Sequence, residues 1–457
     1  MPLFPRTPWA ALVVALLLAV AGIGARSAAQ PARPDGSDGK RAWQAASRLP
    51  AFPGATGFGS DTPGGRGGPV VVVTTLADRG PGSLRSALED LSDPRIVVFA
   101  VGGAIALAGE IEVGSNVTVL GQTAPGPGIT LIGARIAVAG DDVILRGLRV
   151  RPGRGPGQAL EGRDGISVGA KGRVVRRVVV AQNSVTWATD ENLATWHDVE
   201  DVAFQRNLVA EALNEAGHPE GAHSMGMLIG GAARRVSVVE NLFASNRWRN
   251  PQIRGLAEGE VVNNVVHNYG PGGLTVGGGP TRLDIVGNLF SAGPDTPDPR
   301  IRAPIMLDGD DPRSRYFVDG NLMPMLTDSV RGDGRALLSA EPVVGRAAAG
   351  AAPAHELPRT LLDRVGARVP VHDATDRRIL REVEQGLGAV IDAPPLGEAA
   401  STSPGIAVAG TDADRDGDAI PDSWEARIGS DPDRADAAAP SPTGYAFIEV
   451  YVNALDP

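Results

Sequence analysis

An asparagine followed by an apolar residue recurs at Asn183, Asn207, Asn241, Asn264, Asn288 and Asn321, each time closing a short β-branched run. The spacings are 24, 34, 23, 24 and 33 residues. A unit in the low twenties, with occasional insertions near ten residues, is the signature of a solenoid. In a parallel β-helix each turn stacks on the last at the inter-strand spacing of ~4.8 Å, so asparagines at equivalent positions can ladder amide to amide. The runs Val70–Thr75, Ile96–Val101, Val117–Leu120, Ile129–Ile132, Val143–Leu148 and Val174–Val180 fit the same scheme, and no long helical period interrupts them. A β-sandwich or propeller would need alternating hairpins with tight two-residue turns, which are scarce. The expected class is therefore all-β, a parallel β-helix over residues 51–330. Solenoid ends need covering, and a short helix over Ser83–Leu91, with Ser83 as N-cap, is placed to cap the first turn.

The flanks differ in character. Residues 1–29 carry Arg6, an apolar run from Trp9 to Ile23, and Ser27-Ala28-Ala29, the pattern of a secretory leader cleaved before Gln30. The run is short for a membrane span, with an uncleaved anchor as the alternative. Residues 30–50 read as a linker. Residues 331–411, rich in Ala, Pro and Arg with one helical stretch at Asp376–Gln385, read as a segment packed along the outside of the solenoid. Residues 412–457 form an acidic module. The expected product is a secreted, soluble monomer with no membrane association after cleavage. Export usually brings disulfides, yet the 457 residues include no cysteine, so stability rests on a large core or bound metal. The formal charge is −10, and −12 once Arg6 and Arg26 leave with the leader. That argues against nucleic acid as a partner, and an anionic substrate would need local attraction from arginines or a cation.

Candidate chemistry concentrates in Asn246–Asn264, NRWRNPQIRGLAEGEVVNN, between the strand-like runs Val236–Ala244 and Glu260–His267. Arg247 and Arg249 share a face if they lie in a strand, and Arg254 joins them only if the chain bends, as Pro251 favours. A guanidinium cluster suits an anionic ligand; a solvated turn fits the same spacing. NSVTWATDEN places Asp190 and Glu191 just after a strand, and GRDGISV offers Asp164 one or two turns upstream. Carboxylates on neighbouring turns can approach within several ångströms, as the oxygen ligands of Ca²⁺ require; ordinary turn residues are the plain alternative. A further acidic set follows at Asp414, Asp416, Asp418, Asp422 and Glu425. Counted from Asp414, these are positions 1, 3, 5, 9 and 12 of an EF-hand loop, with the carbonyl of Ile420 at position 7. Ala419 stands where such a loop prefers Gly, and the start of the loop also looks like thrombospondin type 3 or dockerin-like repeats. The helix expected at Tyr445–Leu455 would close this calcium module; a plain acidic turn is the alternative.

From Ala51 to Asn321 the chain resembles the pectate lyase family (polysaccharide lyase family 1) in AFPGATGFG, GGRGG and GPGSLRSALE near the start, in MLIGG, and in RNPQIRG against the family's R-x-P-R-x-R-G. The resemblance implies a right-handed parallel β-helix that cleaves polygalacturonate, an anionic plant-type polysaccharide, or a related uronate by Ca²⁺-dependent β-elimination. It maps the proton-abstracting base to Arg249, a substrate-binding arginine to Arg254, and calcium ligands to Asp164, Asp190 and Glu191. Two positions depart from the pattern: Gln252 replaces the middle arginine, and Met225 stands where a substrate-binding lysine is expected. His223 or Arg247 then become candidate replacements. A non-catalytic β-helix that binds polysaccharide is the alternative expectation.

Overall fold

The computed structural model of the chain describes residues 49–89, 92–255, 257–298, 302–346, 350–398, 408–409 and 412–456; the leader over 1–29 and the linker up to residue 48 lie outside the described residues. The β-branched runs become the sides of a coil, because a residue with a stiff, branched side chain fits the pleat and packs on its equivalent in the next coil. Three parallel sheets result. The first has ten strands, from Val70–Val73 to Arg315–Asp319; the second has nine, from Ile111–Val113 to Val330–Arg331. The third runs from Val101–Ala106 to Leu289–Ser291, and Val408–Ala409 joins its first strand antiparallel. Neighbouring strands come from successive coils, so the architecture is a right-handed parallel β-helix.

Register makes the core continuous. In the first sheet Val97, Val119, Leu145, Val180, Phe204, Val238, Val261 and Ile285 stand one above another, all inside the coil and nearly inaccessible. Each such side chain contributes about 1.5–3 kcal/mol by burial. Leu84 and Leu88 of the helix Leu84–Leu88 close the first coil, with Ser83 Oγ accepting from the Ser86 N–H at 3.2 Å.

The asparagines line the corner between the first and third sheets. Side-chain amides of Asn183, Asn207, Asn241, Asn264 and Asn288 each donate to the Oδ1 of the next, ending on Asn321, at 2.8–3.2 Å. The residue before each asparagine is left-handed: φ is 56° at Gln182, 53° at Arg206, 55° at Glu240 and 54° at Asn263, with glycines at 287 and 320. Runs such as Val236–Ala244 that read as one strand are therefore two, Ala232–Val239 and Leu242–Ala244, bent at the ladder. Glu260–His267 splits in the same way, into Glu258–Val262 and Val265–His267. Left-handed backbone costs about 1–2 kcal/mol per non-glycine residue, and the ladder offsets it by satisfying corner groups that no sheet reaches.

Two segments cover the outside. Leu357, Leu361, Leu362 and Ile379 pack on Leu208, Leu242 and Val265, the outward side of the third sheet. There the fully buried Arg151 pairs with Asp373 (2.6 Å) and Asp376 (2.9 Å) at the start of the helix Ala374–Gln385. Ile448 and Val452 of the helix Phe447–Leu455 lie on Ile96, Val98 and Leu120, the outward side of the first sheet.

Asn241 donates to the carbonyls of Phe204 and Val239 and accepts from both the backbone and side-chain nitrogens of Asn207. Asn241→Ala strands several of these buried groups at about 1–3 kcal/mol each. It should lower unfolding free energy by roughly 3 kcal/mol or more in denaturant titration; an unchanged midpoint would show the ladder to be idle.

Candidate functional site

The outward face of the second sheet forms the floor of an open cleft of about 510 Å³. Ala137, Ser167, Ala194 and Leu228, in register on four successive coils, make that floor. Asp164 precedes the strand Ile166–Val168, and Glu191 opens the strand Glu191–Thr195 on the next coil. Asp190 and Glu191 thus follow the strand Ser184–Thr186 and stand at the start of the next. Oxygens of Asp164, Asp190 and Glu191 lie within 4.8 Å of one another. Arg249 reaches over from two coils away, and its guanidinium pairs with Glu191. It thereby brings a second guanidinium to the carboxylate cluster, where Arg135 already meets Asp164 at 3.3 Å.

A second asparagine network beneath the cleft fixes these side chains. Asn192, beside Glu191, donates to Asn246 Oδ1 at 3.2 Å; Asn246 donates to Asn250 Oδ1, beside Arg249, at 3.2 Å. All three are buried. Gly226 lets the loop approach: a Cβ there would sit 2.6 Å from the Arg249 carbonyl oxygen and 2.7 Å from Asn250 Oδ1. Residues 247–250 are loop rather than strand, with a cis Asn250–Pro251 bond, so the alternate-face pairing of Arg247 with Arg249 does not arise. Arg247 is exposed and stands outside the cleft lining. Arg254 ends the strand Gln252–Arg254, exposed, with its charge felt at Arg249.

The electrostatics separate the carboxylates. Burial, then the charge of Asp190, push Asp164 up to about 7, against the pull of Arg135 at 3.3 Å. Burial would raise Asp190 too, but the hydrogen bond from His223 and the nearby His218 hold it below its ordinary value. Burial lowers Arg249, and Arg254 adds to this against the attraction of Asp190.

Sequence reasoning missed His218, Arg135 and Trp196. The insertion signalled by the 34-residue spacing, residues 211–224, folds over the cleft and carries His218 and His223, stacked at 3.8 Å. His218 Nδ1 accepts from the Glu220 N–H at 3.2 Å, so its Nε2 bears the proton. That nitrogen faces Asp190 Oδ2 at 3.8 Å, and His223 Nε2 lies 2.9 Å from Oδ1. His223 thus lines the cleft and is at the same time a partner of Asp190. Trp196 is half-exposed at the cleft edge, leaning over Gly230. Met225 and Gln252 line a neighbouring depression with Trp248 and Thr275, whose one charged wall is Arg249.

The C-terminal acids sort differently from the EF-hand reading. Asp414, Asp416 and Asp418 converge, and Asp418 also converges with Glu425 and Asp436, a residue outside the twelve-residue loop. Asp422 turns to Arg415 instead, accepting from its backbone N–H (2.9 Å) and its Nε (2.8 Å). Ile420 is buried in the contact with the first sheet, and its N–H binds Asp418 Oδ1. Ala419 takes φ +77°, the left-handed conformation for which such loops use glycine.

No protein-family model matches the chain. It is 36% identical over 431 residues to a probable pectate lyase C of Neosartorya fischeri, covering 91% of this chain and 96% of that protein. It is 35% identical over 433 residues to a probable pectate lyase C of Aspergillus fumigatus, with 91% and 96% covered. Among solved structures, the cedar pollen major allergen Jun a 1 matches with a TM-score of 0.53 at 17% identity, over 68% of this chain and 92% of that one, a likeness of fold. The extent and identity of the match to its curated relatives make this chain, with its acid-and-arginine cleft on a β-helix, a member of the pectate lyase family.

Proposed function

We propose that the protein is a secreted, Ca²⁺-dependent lyase that cleaves polygalacturonate or a related uronate polymer by β-elimination. The observation that carries this is the convergence of Asp164, Asp190 and Glu191 with Arg249 in an open cleft. The three carboxylates would hold the ion: the donor set is all oxygen, and a buried acid resisting ionisation at about 7 is relieved by a hard cation. When bound, Ca²⁺ would withdraw charge from the substrate carboxylate and acidify the neighbouring C5–H.

Arg249 is the group placed to take that proton. A guanidinium is ordinarily always charged, but burial and Arg254 lower this one, which favours the neutral form a base requires. The C5–H electrons form the C4–C5 double bond as the C4–O bond breaks, and the departing glycosidic oxygen keeps the bonding pair and takes a proton from water to end as a hydroxyl. Arg254, exposed beyond the cleft, suits a substrate carboxylate. Trp196 offers a ring face for a sugar. The largely neutral depression by Met225 and Gln252 accepts a ring whose carboxylate goes unpaired. Export rests on Arg6, the run Trp9–Ile23 and Ser27-Ala28-Ala29, and among the described residues no helix is long and apolar enough to cross a membrane.

Arg249→Ala should cut polygalacturonate turnover by about 10²–10⁴-fold while the variant still binds polymer in affinity electrophoresis; wild-type turnover would contradict the assignment. Trp196→Ala should raise KM by roughly three- to tenfold with a smaller change in kcat, checked by initial rates over a substrate series. Asp164 must shed its proton to bind the ion. Calorimetric Ca²⁺ affinity should therefore weaken as pH falls below about 7, approaching tenfold per unit. In chelator the sign reverses: between the ordinary aspartate value and about 7 the folded state holds the extra proton, so stability falls as pH rises. A Ca²⁺ affinity flat across that range would count against Asp164 as a ligand.

A further inference from the structure

We infer that the C-terminal module holds a hard divalent cation between two separate segments of chain, and that this ion locks the terminal helix onto the first coils. The ligands are Asp416, Asp418 and Glu425 from one segment and Asp436 from the other. Glu425 is completely buried, and neither of its carboxylate oxygens has a hydrogen-bond partner. Asp416 Oδ2 and Asp436 Oδ1 are likewise buried and unpartnered. Oxygens of Asp418, Glu425 and Asp436 lie within 4.8 Å of one another. Buried carboxylate oxygens that face one another, with no donor at Glu425, repel strongly, and a cation is the partner that resolves this. The set offers oxygen alone, which selects Ca²⁺-class ions over metals that favour nitrogen or sulfur.

The rest of the loop is built to hold these groups still. Asp414 accepts from the N–H groups of Gly417, Asp418 and Ala419, so it shapes the turn. Asp418 Oδ2 accepts from the N–H groups of Asp436 and Ala437, at 2.9 and 2.7 Å, tying the two segments directly. Beyond Asp436, the carbonyls of Ala437 and Ala439 receive the N–H groups of Ile448 and Phe447, which open the terminal helix. That helix puts Glu449 on the buried Arg66 at 2.9 Å and Asn453 on Arg146 at 2.8 Å. An ion at Asp436 therefore bears on the closure of the outward side of the first sheet, far from the catalytic cleft in sequence and distinct from it in ligands.

The full-length protein, melted in Ca²⁺ and in chelator, tests this. Wild type and Asp190→Asn, which alters the cleft alone, should both gain about 5 °C or more from Ca²⁺. Asp436→Asn and Glu425→Gln should lose most of that gain, yet melt in chelator no lower than wild type, since each removes a repelling charge. Asp422→Asn should keep the gain, because Arg415 holds that residue. The inference fails if Asp436→Asn and Glu425→Gln keep the full gain, if Asp190→Asn loses it, or if the C-terminal variants are equally destabilised in chelator.

Discussion

Parallel register between coils is the constraint on which everything else depends. Each residue sits against its equivalent one coil away, at the spacing of neighbouring strands. Like therefore stacks on like. Where the residue is aliphatic, as in the column through Val180, Phe204 and Val238, the result is an uninterrupted core. Where it is asparagine, each amide satisfies the next and the coil can turn through left-handed backbone at Arg206 or Glu240. These rows are stable because the stacked groups complement or ignore one another.

The same rule becomes a difficulty at the cleft. Asp164 and Glu191 occupy successive coils at the head of the second sheet, so stacking brings acid to acid. The conflict surfaces as an aspartate raised to about 7 and as an arginine drawn across two coils into the cluster. A stacked apolar row would be more stable there, but it would have no use for a cation or an anionic sugar. The histidine pair on the insertion over the cleft keeps Asp190 ionised while its neighbour resists, which divides the two carboxylates by environment. The outer segments meet a different need. They cover the outward faces of the first and third sheets and leave the second, with the cleft, open.

The coil was legible because its asparagines repeat at a fixed interval, and a period survives in a sequence even when the contacts it produces do not. The insertion was legible as a lengthened spacing, although nothing in residues 211–224 showed that His218 and His223 would stack on each other and face Asp190. Corners were not legible: Val236–Ala244 reads as one run because both halves are apolar, and only the left-handed Glu240 reveals the bend. Arg247 stands apart from Arg249, since their spacing shares a face only in a strand and the chain there is a loop. In the C-terminal module the motif named Asp416, Asp418 and Glu425. It could not see that Arg415 holds Asp422, or that Asp436 enters from a second segment. Local spacing encodes what one segment does; convergence between segments is decided by packing.

Most directly at issue is whether the cluster of Asp164, Asp190, Glu191 and Arg249 performs elimination on a uronate with calcium. Wild-type protein incubated with polygalacturonate, with Ca²⁺ and with chelator, can be followed by the ultraviolet absorbance of the new carbon–carbon double bond conjugated to the carboxylate. The account predicts a steady rise in calcium and none in chelator. An equal rise in both, or cleavage that yields only saturated ends, would contradict it.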